Sequence, residues 1–198
     1  MKKTAKSDVL IGLEVHLELD TESKLFCSCP TRGDENPNTR VCPICLGHPG
    51  TRPVLNIKAL KEALKLCIAV NCKISDEAVF SRKNYFYPDM SKNFQITQFE
   101  KTLGEKGFIE LRNGKKVTIR RIHIEEDPAA IIYSGSMTES DHSLIDYNRS
   151  GNPLAEVVTE PDMNSPEEAR EFLKKLILLA TYLKTFDIRF RTIKADVN

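Results

Sequence analysis

Two groups of side chains in this sequence have the types and spacing needed to bind a metal ion. The first lies on a strand predicted from Ile11 to Leu19, in which aliphatic residues occupy alternate positions. Glu14, His16 and Glu18 occupy the positions between them and therefore share the opposite face. Their carboxylate oxygens and imidazole nitrogens are donors suited to a hard divalent cation. A half-buried strand with a solvated outer face has the same alternation, so this strand alone does not decide between the two interpretations.

The second group consists of four cysteines in two close pairs. Cys27 and Cys29 form one pair, and Cys42 and Cys45 form the other after a polar loop. Two such pairs supply the four thiolates of a tetrahedral zinc site, and a site with four protein ligands has no open position for water. The spacing therefore predicts a structural zinc site in the loop from 26 to 47.

More carboxylates follow on strands predicted downstream. Asn113 and Gly114 predict the turn of a β-hairpin whose second arm ends in three consecutive acids at 125–127. Neighbouring acids repel one another and need a cation, a basic partner or solvent. Glu156 interrupts an apolar strand from 154 to 158. A metal ion shared with the other acids would supply the partner that a buried carboxylate needs.

Strict alternation along the second arm of this hairpin predicts which residues share a face. One face would carry Val117, Ile119, Arg121, His123 and Glu125, and the other would carry Ile122, Ile124 and Glu126. Its far end then presents a dense acidic tip beside His123, for which a solvated strand end is the alternative.

Two predicted helices supply apolar faces to cover these strands. One runs from 56 to 71 with apolar residues at helical spacing, and it places Cys67 on the apolar face and Cys72 just past the end, as packing residues. The other begins with Ser165 as N-cap and Glu168 completing a capping box. Between them, the segment from 81 to 89 combines two cations, three aromatics and an acid, and its composition fits an active-site loop and a packed connection equally.

Composition excludes several classes of protein. The 198 residues include 29 basic and 28 acidic ones, for a net charge of +1, which gives no global attraction to nucleic acid. No apolar run is long enough to span a bilayer, and the polar residues 1–8 are not a signal peptide. We therefore expect a reducing, cytoplasmic location, where six cysteines serve as metal ligands or core thiols rather than disulfides.

Several collinear motifs resemble one enzyme family. IGLEVHLEL, the two cysteine pairs, RKNYFYPD, RRIHIEED, DYNRSGNPLAEVVTEPD and SPEEA occur in the order found in the B subunit of the tRNA-dependent amidotransferase and its archaeal E-subunit relatives. The resemblance implies an α+β fold, in which an antiparallel β-sheet cradle similar to glutamine synthetase and the guanidino kinases is flanked by helices. It assigns residues 9–198 to a catalytic cradle domain with the zinc loop at 26–47, preceded by a polar tail at 1–8. It also implies that the cradle continues past Asn198 into helical and tail domains.

The resemblance also implies a reaction, ligands and partners. ATP would phosphorylate the side-chain carboxylate of Glu-tRNA(Gln) or Asp-tRNA(Asn), and ammonia would then displace phosphate, with Mg²⁺ as cofactor and Zn²⁺ in the cysteine loop. The ammonia would come from an amidase A subunit, with a small C subunit, or from an asparaginase-like D subunit in an E-type enzyme. We expect misacylated tRNA, and no DNA or membrane, as a further partner. The choice between B-type and E-type, the tRNA substrate and the activity of the fragment stay open.

By motif position, the resemblance assigns roles to individual residues. The predicted catalytic residues are Glu14, His16, Lys83, Glu125, Glu126 and Glu156. Four of them, Glu14, His16, Glu125 and Glu156, would also be metal ligands. Lys83, Lys92 and Glu126 would lie near the arriving ammonia. Asn148, Arg149, Asp196 and Asn198 are the predicted cofactor-binding residues.

Two other classes of function fit parts of the sequence. A zinc-dependent RNA-binding or scaffold module would keep the cysteines but has no use for acids on separate strands. A ligase of the glutamine synthetase type would keep the acids but act on a free small molecule without tRNA. Tight RNA binding without ATP or magnesium would select the first, and activity on free glutamate would select the second.

Overall fold

The computed structural model describes residues 9–135 and 138–198, so the predicted polar tail at 1–8 lies outside the described residues. In chain order the elements are β1 (Leu13–Glu18), α1 (Ile57–Ala69), β2 (Lys73–Ile74), β3 (Ser81–Asn84), β4 (Phe94–Thr97), β5 (Gly104–Glu110), β6 (Lys116–Glu126), β7 (Ala130–Tyr133), β8 (Ser143–Asp146), β9 (Pro153–Thr159), α2 (Pro166–Tyr182) and β10 (Ile193–Val197). The predicted α+β class with an antiparallel sheet flanked by helices is confirmed. The likeness to glutamine synthetase stays a prediction.

Six strands form the main sheet in the order β10-β1-β9-β6-β5-β2, and each neighbouring pair is antiparallel. All seven residues of β9 are buried, and this strand lies inside the sheet between β1 and β6. Strands that are far apart in sequence are therefore neighbours in the sheet, since β1 pairs with both β9 and β10.

Both helices contribute to a core on one face of this sheet. Leu13, Val15 and Leu17 of β1 are buried there with Leu66 of α1 and Phe172 of α2. Burying each such side chain contributes about 1.5–3 kcal/mol relative to leaving it in water. The opposite face of β1 is consequently free to carry polar side chains.

The start of α2 follows the prediction with one difference. The Ser165 Oγ accepts a hydrogen bond from the Glu168 backbone N–H, as an N-cap residue should. The Glu168 carboxylate, however, accepts from the backbone N–H of Asn164 rather than from that of Ser165. The capping box is therefore closed one residue earlier than predicted.

The alternation predicted along β6 is wrong, because the strand contains a bulge. Val117 and Ile119 lie in the core, but so do Ile122 and Ile124, which strict alternation would put on the other face. The register against β9 shifts between Ile119 and Arg121, where an extra residue on β6 has no counterpart. Beyond the bulge, the odd-numbered side chains of β6 change from the core face to the opposite face.

A two-stranded ribbon of β3 and β4 lies beside the end of β6, and β7 pairs with β8 in a separate hairpin. Strand β5 pairs with β6 only as far as Ile122, so the backbone of β6 needs other partners beyond that point. The Gln98 side chain accepts from the Ile124 N–H at 3.1 Å, and the Gln95 side chain donates to the Glu126 carbonyl at 2.8 Å. These two glutamines fix the ribbon against the acidic end of β6.

Candidate functional site

The register of the main sheet places two histidines and a glutamate in one row. His16 on β1 lies opposite Glu156 on β9, and Glu156 lies opposite His123 on β6. Glu125 follows two residues after His123 on the same face of β6, beyond the bulge. His16, Glu125 and Glu156 each offer a ligand atom within 4.8 Å of the other two, and we call these three residues the acid cluster.

Both imidazoles lie between the same two carboxylates. The His16 Nε2 is 3.4 Å from an oxygen of Glu125 and 3.4 Å from an oxygen of Glu156. The His123 Nε2 is 3.1 Å from the same oxygen of Glu156 and 3.6 Å from the second oxygen of Glu125. The Thr97 hydroxyl of β4 also donates to Glu125, at 2.9 Å. Glu125 is therefore contacted by three side chains, and Glu156 by two.

These contacts shift the pKa values of the acid cluster. Hydrogen bonds to Glu125 and then Glu156 raise the pKa of His16 to about 10, against the opposing effect of burial. Burial raises the pKa of Glu125, but hydrogen bonds from His123 and His16 outweigh it and lower the pKa to about 2. The pKa of Glu156 is lowered by the same two histidines against burial. The carboxylates consequently stay ionised at neutral pH, as ligands for a divalent cation must be, whereas His16 holds a proton that it would have to release to bind the ion.

The acid cluster opens into two cavities. The larger, of about 480 Å³, is lined by both carboxylates of the cluster together with Glu14, Arg82, Lys83 and Arg121. The smaller, of about 300 Å³, is lined by His16, Lys83, Glu125, Asp127, Lys194 and Asp196 among others. Lys83 and Glu125 line both cavities, so they lie at the boundary between them. A group bound in one cavity would contact a group bound in the other at the acid cluster.

The four predicted zinc ligands also come together, and we call Cys27, Cys29, Cys42 and Cys45 the cysteine cluster. Their sulfur atoms all lie within 4.8 Å of one another, and those of Cys42 and Cys45 are 3.9 Å apart. Tetrahedral zinc with bonds of about 2.3 Å requires sulfur atoms about 3.8 Å apart, so this spacing fits the ion. A hydrogen bond from Cys27 is the main cause that lowers the pKa of Cys45 to about 4, and the same contact raises the pKa of Cys27, so the two thiols share one proton in the absence of metal.

Comparison with known proteins gives an independent line of support. Residues 9–198 match the family described as GatB/GatE catalytic domain. The chain belongs to this family. It is 54% identical over 186 residues to the B subunit of the aspartyl/glutamyl-tRNA(Asn/Gln) amidotransferase of Methanoregula boonei, covering 91% of this chain and 39% of that protein. The protein of the same name from Brevibacillus brevis is 48% identical over 202 residues, covering 98% and 41%.

A third relative with this name, from Sulfolobus acidocaldarius, is 54% identical over 182 residues, covering 88% of this chain and 39% of its own length. The resemblance drawn from the motifs is thereby confirmed. The chain spans about two-fifths of the length of these curated relatives. Among the described residues of this GatB/GatE catalytic domain, neither helix has the length and apolarity to cross a membrane.

The structure of the GatB/GatE domain separates Glu14 from the other predicted metal ligands. Its carboxylate does not join the acid cluster but lines the larger cavity, where it accepts a hydrogen bond from the Asn198 side chain at 3.3 Å. Glu14 lies opposite Asp196 in the β1–β10 pair, and Asp196 lines the smaller cavity. The end of the chain thus contributes two predicted residues beside the cluster.

Glu126 and Lys92 form a buried ion pair beside the acid cluster. Glu126 points away from His123 because it lies on the other face of β6, and it also accepts a hydrogen bond from the Ile96 N–H at 3.0 Å. Neither residue of the pair is among the described residues that line the two cavities.

Asn148 and Arg149 make contacts within the protein rather than with the cavities. Asn148 is buried, accepts a hydrogen bond from the Arg40 N–H and donates one to the Asn36 carbonyl. Arg149 donates to the carbonyl oxygens of Pro128 and Ala129. Both side chains therefore tie together loops around the site.

Sequence reasoning missed residues that only the register reveals. It gave no role to His123, whose Nδ1 is buried and has no hydrogen-bond partner among residues 9–135 and 138–198. His123 lies two residues before Glu125 on the same face of β6, and this spacing was the one feature of the sequence that placed the two side chains together. Glu18 is the opposite case, because it shares a face with His16 but is buried in an ion pair with Arg191 at 3.0 Å. The alternative of a solvated outer face is therefore wrong for Glu18.

Proposed function

We propose that this chain is the catalytic part of an ATP-dependent amidotransferase subunit that acts on Glu-tRNA(Gln) or Asp-tRNA(Asn). The observation that carries the proposal is the acid cluster at the boundary of two cavities, in a chain of the GatB/GatE family. Two adjoining spaces suit a reaction in which one substrate passes a group to another. Ionised carboxylates suit the divalent ion that phosphoryl transfer requires.

The acid cluster is the proposed magnesium site. His16, Glu125 and Glu156 would hold the ion, with Glu14 as a further ligand from the wall of the larger cavity. When bound, Mg²⁺ would neutralise charge on the ATP phosphates and keep them in line for transfer. His123 contacts both carboxylates, and Thr97 donates a hydrogen bond to that of Glu125. Such outer partners orient metal ligands and support their affinity.

The cations around the larger cavity are suited to bind polyphosphate. Arg82, Lys83 and Arg121 line that cavity together with the acids. We assign ATP to this space and the aminoacyl end of the tRNA to the smaller one, with Asp196 and Asn198 completing the site from β10. The γ-phosphoryl group would move from ATP to the side-chain carboxylate of the substrate, releasing ADP. Lys83, at the boundary, would stabilise the charge on the transferred group.

Ammonia would complete the reaction by attacking the activated carbonyl carbon, with phosphate as the leaving group. Lys83 lines both cavities, and Glu126 and Lys92 form a buried ion pair outside them, so ammonia would arrive beside these three polar side chains. Asn148 and Arg149 would act on the cofactor indirectly, by fixing the loops around it. The zinc ion, in the cysteine cluster, would have a structural role because four thiolates leave no open position.

The ammonia itself would come from a partner subunit. Releasing ammonia from glutamine requires an activated nucleophile such as a thiolate beside a base. Four cysteines are assigned to zinc, Cys67 is buried in the core and Cys72 packs against it. An amidase A subunit with a small C subunit, or an asparaginase-like D subunit, would therefore supply ammonia.

The test uses the full-length subunit that contains this chain. We expect it to form the amide from ammonium, ATP, Mg²⁺ and misacylated tRNA, and to release no ammonia from glutamine unless the amidase is added. Glutamine hydrolysis by the purified subunit would contradict this division of labour. Amide formation from free glutamate without tRNA would select a glutamine synthetase-type ligase instead.

A further inference from the structure

Lys24 is among the largest fully buried side chains of residues 9–135 and 138–198, although it carries an ionisable amino group. Its Nζ lies 3.7 Å from the Cys45 Sγ and 3.2 Å from the Tyr147 carbonyl oxygen. Neither partner is a carboxylate. A buried ammonium group is strongly unfavourable unless a negative charge lies close to it. The sulfur of Cys45 is the atom in that position.

Lys24 packs against both the cysteine cluster and the turn at 147–151. Its backbone N–H donates to the Cys29 carbonyl at 2.9 Å, so the residue is bonded to two members of the cysteine cluster. A Cβ at Gly151, which has φ +87°, would lie 3.5 Å from the Lys24 Cδ and 3.6 Å from the Cys45 Cβ. The aliphatic stem is thus enclosed between the cysteine cluster and the turn at 147–151, and the amino group has little freedom to leave.

Charge balance gives this arrangement a purpose. Four thiolates around one Zn²⁺ carry two negative charges in excess. The cluster is partly buried, so this charge is not fully screened by water. A backbone N–H, that of Cys42, already donates to the Cys45 Sγ at 3.1 Å. The Lys24 ammonium group, which contacts the same sulfur, adds a full positive charge to the partial positive charge of this N–H.

We propose that Lys24 is the positioning residue that balances the charge of the zinc-bound thiolates and clamps the cysteine cluster to the turn at 147–151. This proposal rests on the proposed zinc site. Cys45 connects the cluster further, because its carbonyl oxygen accepts hydrogen bonds from the Ser91 and Ser150 hydroxyls at 2.7 and 3.3 Å. The residue after Ser91 is Lys92, which pairs with Glu126. The clamp therefore lies between the cysteine cluster and the segments that border the acid cluster.

The test compares zinc affinity in two variants of the full-length subunit. Lys24→Met keeps the length of the stem and removes the charge, and Lys61→Met makes the same change at an exposed position of α1. Zinc dissociation constants are measured by competition with a chromophoric chelator. The Co²⁺-substituted proteins give the absorption of the metal–thiolate centre. We expect Lys24→Met to weaken zinc binding about 10- to 100-fold, as for other residues that contact a metal ligand, and Lys61→Met to leave it unchanged.

A purely structural role for Lys24 predicts a different result. In that case Lys24→Met would lose equal stability in zinc and in excess chelator, and its zinc affinity would match the wild type, which would overturn the proposal. If Lys24→Met does not fold, Lys24→Gln, which retains an N–H donor without the charge, is measured in the same way and judged by the same criterion. A wild-type protein that binds no zinc would instead refute the zinc site itself, and this outcome is visible before any variant is made.

Discussion

The cysteine cluster takes all its ligands from one segment, residues 27–45, whereas the acid cluster takes one residue from each of three strands. The first offers four thiol groups, which would leave a tetrahedral zinc ion no free position for another ligand. The second has three side chains and opens into two cavities. Closed and open coordination are the usual marks of structural and reactive metal sites respectively. This difference is the basis on which we propose a structural role for the cysteine cluster and a catalytic role for the acid cluster.

The largest effect that would sharpen this contrast is expected at Glu125. Glu125→Gln keeps the shape of the side chain but removes a charge from the acid cluster, so amide formation should fall by about 10²- to 10³-fold or more. The measurement is ATP-dependent amidation of misacylated tRNA by the full-length subunit, with circular dichroism to check folding.

Glu18→Gln is the matched control, because Glu18 lies on the same face of β1 as His16 but pairs with Arg191. It should lower the free energy of unfolding by about 1–3 kcal/mol, since Arg191 loses a charged partner, and leave most of the activity of the folded protein. Equal losses of activity at Glu18 and Glu125 would show that the site is larger than the acid cluster.

An intermediate effect is expected in the cysteine cluster. Cys42→Ser removes a zinc ligand, so zinc affinity should fall by more than the roughly 100-fold that changing an outer partner costs. Because metal binding contributes to folding, the melting temperature should fall in zinc but change little in excess chelator. Cys67→Ser, in the core, serves as a control that should leave zinc stoichiometry unchanged. Zinc retained at one ion per chain in Cys42→Ser would contradict the assignment.

The smallest effect concerns pH in the absence of metal. The pKa of His16 is raised from 6.5 to about 10 in the folded protein, so its contribution to stability is complete below pH 6.5 and is lost as pH rises towards 10. The pKa of Glu125 is lowered to about 2, so its contribution is present above pH 4.5 and is lost as pH falls towards 2.

Chemical denaturation in chelator should therefore show wild-type stability declining between pH 6.5 and 10 relative to His16→Gln. His142→Gln, at an exposed position, should follow the wild type. Parallel curves for the wild type and His16→Gln would show that the imidazole is not held between the two carboxylates.

The two clusters also differ in how far the sequence could predict them. The cysteine cluster was predicted in full, because its spacing lies within one segment and needs no knowledge of the sheet. Helix α2 was predicted for a similar reason, since Ser165 marks its start locally. His123 could not be assigned, because its neighbours depend on strand order and on the bulge before Arg121. Glu14 shares strand parity with His16, but parity could not show that Glu14 lines the larger cavity while His16 lines the smaller one.

The most direct test of the account is to locate Mn²⁺ in crystals of the full-length subunit grown with a non-hydrolysable ATP analogue, using anomalous scattering. Zinc is distinguished from manganese by collecting data at both absorption edges. We expect manganese between His16, Glu125 and Glu156, in contact with the phosphates in the larger cavity, and zinc alone among the four cysteines. Manganese bound elsewhere, or phosphates that bind away from this cavity, would contradict this expectation.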